Sequence, residues 1–162
     1  MIRPPAASAA APASHAAART VMRQLPGTLD GAVERLVLCE VPAGATFEDD
    51  GAAAITLHCV LAGTMRARIG EAAPIVAQAG AALLLPPRSA VHAVPCDPRG
   101  KRRSGALRLL VASISPVAAA SLGLSSTLPA DLHYVDAAPG AATLLETLVG
   151  EIDRPGLGTV LL

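Results

Sequence analysis

Between Ile55 and His92 the chain reads ITLHCVLAGTMRARIGEAAPIVAQAGAALLLPPRSAVH. Ile55–Leu61 is rich in Ile, Leu and Val, is bounded by turn residues and is too short for a helix, so it reads as a strand carrying His58. Gly63 separates it from Thr64–Ile69, which alternates. Arg66 and Arg68 fall on one face, Met65, Ala67 and Ile69 on the other. Gly70-Glu71 makes the next turn. Pro74–Gln78 and Ala81–Leu85 are two further strands split by Gly80, and Val91–Val94 resumes after Pro86-Pro87. Short strands at close spacing, punctuated by Gly and Pro, predict an antiparallel sandwich or barrel. Such a shell holds a cavity, which serves either as a catalytic metal site or as a sensor pocket.

The same reading extends outward. Leu36–Val41 alternates weakly and ends at the turn Pro42-Ala43-Gly44. Glu48-Asp49-Asp50-Gly51 reads as a second turn. Pro95–Gly105 is a long polar loop, and Leu107–Ile114 is the last strong strand. Leu128-Pro129 and Leu132–Val135 suggest a short closing strand. Pro139–Ile152 places Leu144, Leu145, Leu148, Val149 and Ile152 at helical spacing, with Pro139 suited to the first turn. Asp153-Arg154-Pro155-Gly156 stops that helix, and Gly158–Leu162 opens a new apolar run. The expected organisation is a disordered Ala/Pro-rich leader over 1–22, a barrel over 23–136, and a helical linker over 137–162. A further segment is expected beyond Leu162, because the chain ends inside an apolar run.

Composition narrows the functional classes. The 162 residues suit one domain. Lys+Arg and Asp+Glu are each 13, so no global field favours nucleic acid or an anionic membrane. Apolar residues make up 52% but aromatics only 1%, so the core is aliphatic and base stacking is nearly excluded. Cys39, Cys59 and Cys96 form no CxxC pair and are odd in number, which fits a reducing cytoplasm better than a disulfide framework. No apolar stretch reaches the roughly 18–20 residues that a membrane helix needs. Pro4, Pro5 and Pro12 argue against a secretory signal.

Strand alternation puts Thr56, His58 and Val60 on one face, and an inward face would make them ligand-binding residues. His58 and His92 facing each other across a barrel would either contact a ligand or hold a divalent metal. A catalytic metal usually takes three protein ligands, and Cys96 is a poor candidate for the third. Arg66 and Arg68 would grip a carboxylate or phosphate if inward, but a solvated outer face is the better expectation. Arg99-Gly100-Lys101-Arg102-Arg103 is the one basic cluster and reads as a solvated hairpin tip. The cysteines have no activating neighbour, and no catalytic residues are assigned.

Three segments carry a resemblance: LHCVLAG (Leu57–Gly63), AGAALLLPPRSAVHAV (Ala79–Val94) and LRLLVASIS (Leu107–Ser115). Together they resemble the cupin-type N-terminal ligand-binding domain of AraC-family transcription regulators. LLETLVGEIDRPGLGTVLL (Leu144–Leu162) looks like the helical linker that follows the barrel there. Metal-binding cupins carry two histidines and a glutamate before the glycine; here Thr56 stands near the glutamate position and ATFEDDGAAAI lacks the HxH. In the second motif Gly80, Pro87 and His92 survive, with Ser89 in place of a glycine. The resemblance therefore supports the barrel and weakens the enzyme. It implies a mostly β fold, a cupin-like antiparallel barrel (double-stranded β-helix or jelly roll), followed by a C-terminal helix. It further implies a small-molecule effector, no cofactor, a homodimer, no membrane, and DNA contact only through a C-terminal domain outside this sequence. Leu144 or Leu148 on the linker helix would be exposed. The rival expectation is a small metal-dependent dioxygenase or isomerase.

Overall fold

The computed structural model describes residues 19–24, 33–101, 105–121 and 133–153. Ten strands run in chain order: β1 Val21–Gln24, β2 Val33–Val41, β3 Phe47–Asp49, β4 Ile55–Ala62, β5 Thr64–Ile69, β6 Ile75–Gln78, β7 Ala82–Leu85, β8 Val91–Pro95, β9 Leu107–Ile114 and β10 His133–Val135. Helix α1 is Pro116–Ser121 and helix α2 is Ala141–Asp153. The strands form a six-stranded sheet, β1-β2-β9-β4-β7-β10, and a four-stranded sheet, β3-β8-β5-β6. Every pairing is antiparallel. From β2 to β5 and again from β6 to β9 each connection crosses between the two sheets, as in a double-stranded β-helix. The fold is thus the mostly β, cupin-like jelly roll with a C-terminal helix that the sequence predicts. It departs in one respect: the sheets stack without joining into a closed hydrogen-bonded ring.

Period-two alternation decides what each sheet buries. Val37, Cys39 and Val41 of β2, Val60 of β4 and Leu107, Leu109 and Val111 of β9 point between the sheets. They meet Phe47, Met65, Ala67, Ala77, Val91 and Ala93 from the opposite sheet. With one phenylalanine and no tryptophan, the layer is filled by aliphatic side chains, and small alanines on the four-stranded sheet oppose Leu and Val on the other. Burying each such Leu stabilises by about 1.5–3 kcal/mol relative to leaving it exposed.

The alternate residues of the six-stranded sheet are also buried. Leu36, Leu38, Cys59, Leu61 and Leu110 form a second cluster under α2, closed by Val149 and by the partly buried Leu145. Spacing of four puts Leu145 and Val149 on one helical stripe, while Leu144 (71% exposed) and Leu148 (48%) face away. Arg108 of β9 fastens the helix from below, its Nη1 donating to Glu146 Oε1 at 2.5 Å. Linker and barrel are therefore packed together, rather than joined end to end.

The element boundaries teach where local signals mislead. Phe47–Asp49 belongs to a strand paired with β8, although Glu48-Asp49-Asp50-Gly51 reads as a turn; the turn begins only after Asp49. Strand β1 starts at Val21, two residues inside the expected leader, because it pairs along the whole edge of β2. Helix α2 begins at Ala141 rather than at Pro139, since Gly140 takes φ +80° and closes a turn first. Gly63 links β4 to β5 at φ +83°, and a Cβ there would lie 2.5 Å from the Ala106 carbonyl oxygen, so only glycine fits. The leader over 1–18, Leu128–Leu132, Arg102-Arg103 and everything from Arg154 onward lie outside the described residues.

Candidate functional site

Strand register arranges the inner face of the six-stranded sheet in rows. Arg35, Ser113, Thr56 and Leu85 form the row at one end. Val37, Val111, His58 and Leu83 form the next, then Cys39, Leu109 and Val60. On the opposite sheet Phe47 pairs with Ala93, and Asp49 with Val91. Buried Thr56, His58 and Ser113 thus gather at one end of the interior, with half-buried Asp49 and exposed Arg35 at its mouth. Aliphatic side chains fill the other.

A cleft of about 340 Å³ opens at the polar end, lined by Arg35, Cys39, Phe47, Asp49, Asp50 and Val111 among others. His58 lies behind that wall and is 1% exposed. Its Nε2 is 3.4 Å from Asp49 Oδ2, and its ring meets Phe47 edge-on with centroids 5.7 Å apart. The Asp49 contact is an ion-pair distance but is poorly directed, so Nε2 has no hydrogen-bond partner. Ser113 Oγ, one register position across from Arg35, is likewise buried and unpartnered. Leaving such a group unsatisfied costs about 1–3 kcal/mol. Both atoms lie behind the cleft lining, His58 Nε2 facing the Asp49 carboxylate.

The charges around the cleft are settled by their neighbours. The His58 imidazole holds the Asp49 carboxyl below the usual carboxylate range, against the opposing push of burial, and the Gly51 N–H and Arg35 add to the lowering. Asp49 is therefore ionised at neutral pH. Burial pushes the Cys39 thiol up to about 11 despite the pull of Arg35, so Cys39 is a neutral thiol in the cleft wall and no nucleophile.

Of the residues singled out in the sequence, Thr56, His58 and Val60 share the inward face, as alternation requires. His92 does not join them. On β8, Val91 and Ala93 point into the core, so His92 points out, with its side chain 45% exposed and its Nε2 3.9 Å from Glu48 Oε1. Its cross-strand neighbours are Glu48 and Arg68. Cys96 is buried past the end of β8, where its N–H donates to the Thr64 carbonyl. Its thiol is pushed up by burial first and by Asp97 second. The expected meeting of His58, His92 and Cys96 therefore fails: parity on β8 turns His92 to the outer face, and Cys96 lies past the strand's end. Arg66 and Arg68 point outward, as expected. All three cysteines are unpaired thiols.

The described residues form no metal centre. Among the described residues no group of three or more His, Cys, Asp or Glu side chains converges. His58 and Asp49 supply two donors, and they face each other. Two residues of the site escape the sequence reading. Asp49 is hidden by its turn-like neighbours, and Arg35 lies before the strand as read. The available signal was parity: Arg35 is in step with Val37, Cys39 and Val41, and Asp49 with Phe47.

No family profile matches the chain, and no curated protein matches it in sequence. Solved structures do resemble it in shape. An RmlC-like cupin with a double-stranded β-helix fold from Methanocaldococcus jannaschii is 15% identical, covering 62% of this chain and 84% of that one at a TM-score of 0.48. The Cnp3 cupin domain of Schizosaccharomyces pombe is 14% identical over 69% of this chain and 72% of that one, TM-score 0.48. A predicted oxalate decarboxylase from Thermotoga maritima is 11% identical over 59% and 79%, TM-score 0.48. Among the described residues no helix is long and apolar enough to cross a membrane.

Proposed function

We propose that this chain is the effector-sensing and dimerisation domain of an AraC-type transcription regulator, and that it binds its ligand without transforming it. The observation that carries the sensing part is the cleft of about 340 Å³ beside Asp49, with His58 Nε2 and Ser113 Oγ buried and unpartnered nearby. Its size lies at the lower end of small-molecule sites, so the effector is a small polar organic molecule. Arg35 and Asp49 are the charged walls under that reading, and Thr56, His58 and Val60 lie buried behind the lining. The regulatory part is supported by the helix. Strand β9 carries Val111 in the cleft wall and, on its other face, Leu110 against α2. Displacing that strand shifts the helix whose Leu144 and Leu148 stand exposed for a second copy. Effector binding then changes the population of two arrangements, and DNA is contacted by a separate part of the regulator.

Thermal-shift screening of small polar metabolites, followed by calorimetry on the hits, tests the reading. A saturable one-site ligand is expected, with binding lost in His58→Leu and Asp49→Asn, and with a change in dimerisation by light scattering. Stoichiometric iron, nickel or manganese in protein purified without a His-tag, together with turnover, would instead establish the metal-dependent enzyme. Hits unaffected by either substitution would remove the cleft as the sensor site.

A further inference from the structure

The outer face of the four-stranded sheet holds a second hollow, a groove of about 370 Å³ lined by Arg66, Arg68, His92, Pro74 and Val94. Arg66 and Arg68 are two residues apart on β5, hence about 7 Å apart on one face. His92 is the direct cross-strand neighbour of Arg68, and Val94 that of Arg66. Three nitrogen donors on two adjacent strands therefore surround one hollow. The two guanidiniums are like charges on one strand face and repel when nothing lies between them. The acids nearby do not relieve this. Arg68 has no acidic partner at salt-bridge distance among the described residues, and Glu48 approaches only His92, at 3.9 Å. Arg66 Nη1 donates to the Gly100 carbonyl at 3.3 Å, which ties its guanidinium to the loop after β8. That loop adds the exposed cations Arg99 and Lys101 beside the groove, while Asp97 accepts from its own loop's N–H groups. In a chain whose formal net charge is zero, this is a local concentration of positive charge at a concave surface.

We propose that this groove binds the phosphoryl group of a small phosphate monoester, gripped by Arg66 and Arg68 with His92 beside them. A phosphoryl group presents three terminal oxygens around one centre, which suits donors converging from two strands better than a planar carboxylate does. The groove is larger than a phosphate ion, and its walls at Pro74 and Val94 are apolar, so there is room for the organic remainder. A nucleic acid suits it less. No aromatic side chain faces the groove for base stacking, since Phe47 is buried and Tyr134 lies on the other sheet. The groove and the cleft lie on opposite faces of the four-stranded sheet, so this proposal is independent of the sensor reading.

Titration of the whole chain with phenyl phosphate and with inorganic phosphate, followed by calorimetry and phosphorus NMR, tests it. Saturable binding is expected, tighter for phenyl phosphate, and weakened about tenfold or more, equivalent to about 1.4 kcal/mol, in Arg68→Gln and in Arg66→Gln. Arg19→Gln removes the same charge ahead of β1 and should leave the affinity unchanged. Equal losses in Arg19→Gln would reduce the effect to general electrostatics and overturn the proposal. So would benzoate binding as well as phenyl phosphate, a single-stranded oligonucleotide displacing phenyl phosphate at far lower concentration, or no saturation by either phosphate probe. The substituted side chains are exposed, so folding is retained, and unchanged circular dichroism checks it.

Discussion

The two ends of the space between the sheets are built on the same strands and differ in everything else. At one end Val41, Leu107, Leu109, Met65 and Ala77 interlock without a polar atom among their side chains. At the other, Arg35, Asp49, Thr56, His58 and Ser113 replace them, and two polar atoms are left without partners. The ladders of β2, β4 and β9 span both ends, with register shifts between Val33 and Arg35 and between Val60 and Ala62. The difference teaches that close aliphatic packing and buried polarity are assigned to separate stretches of the same strands. The aliphatic end supplies stability, which lets the polar end carry destabilising groups.

The largest expected effect lies at the aliphatic end. Leu109→Ala removes a fully buried side chain and should cost about 3 kcal/mol in urea unfolding, while any cleft ligand keeps its affinity per folded molecule. A loss below about 1 kcal/mol would mean that the two ends are not divided as described.

His58→Leu makes the opposite case. It keeps most of the volume but takes away the imidazole that holds the Asp49 carboxyl down, so it should cost about as much as Asp49→Asn at pH 6 and clearly less than Leu109→Ala. A loss as large as that of Leu109→Ala would show that His58 is structural.

A pH series sharpens the same contrast. The folded Asp49 carboxyl titrates below its ordinary value of 3.8, so its contribution is fully present above that pH and is lost as the pH falls through the folded value. Asp49→Asn should therefore be less stable than the parent at pH 6, with the gap closing as the pH drops below 3.8. A gap that holds constant down to pH 2, on urea curves at each pH, would show that the carboxylate charge does not matter.

The smallest effect concerns the helix. Arg108 and Glu146 are each about a third exposed, so water screens their pairing. Glu146→Gln should cost about 0.5 kcal/mol. A larger loss, read by hydrogen exchange in α2, would mean that the charge pair and not Leu145 and Val149 holds the helix down.

The fold was legible because alternation and turn residues are local signals. Thr64–Ile69 and Leu107–Ile114 are strands with the bounds read from the sequence, and Met65 and Ala67 face inward as read. The helix was legible from its period, whereas the exposure of Leu144 and Leu148 came only with the resemblance to a linker, since the period alone groups them with Leu145 and Val149. The site was legible only in part. His58 follows from parity within its own strand. His92 required the parity of β8 to be referred to a different strand in a different sheet, and only the register of Phe47 with Ala93 settles that. Asp49 is assigned by the same pairing, against a local Glu-Asp-Asp-Gly pattern that points to a turn. Register between distant strands is a tertiary fact, and no local pattern in Phe47–Gly51 encodes it.

One feature of the six-stranded sheet has a longer reach. Its strands β2, β4 and β9 bury odd- and even-numbered neighbours on opposite sides: Val37 and Cys39 toward the cavity, Leu36 and Leu38 beneath α2. Two packing faces are thus interleaved letter by letter along a single polypeptide. Drift at one set of alternate positions can reshape the space between the sheets while the helix keeps its seat, and a swap confined to the other set can reseat the helix without touching that space.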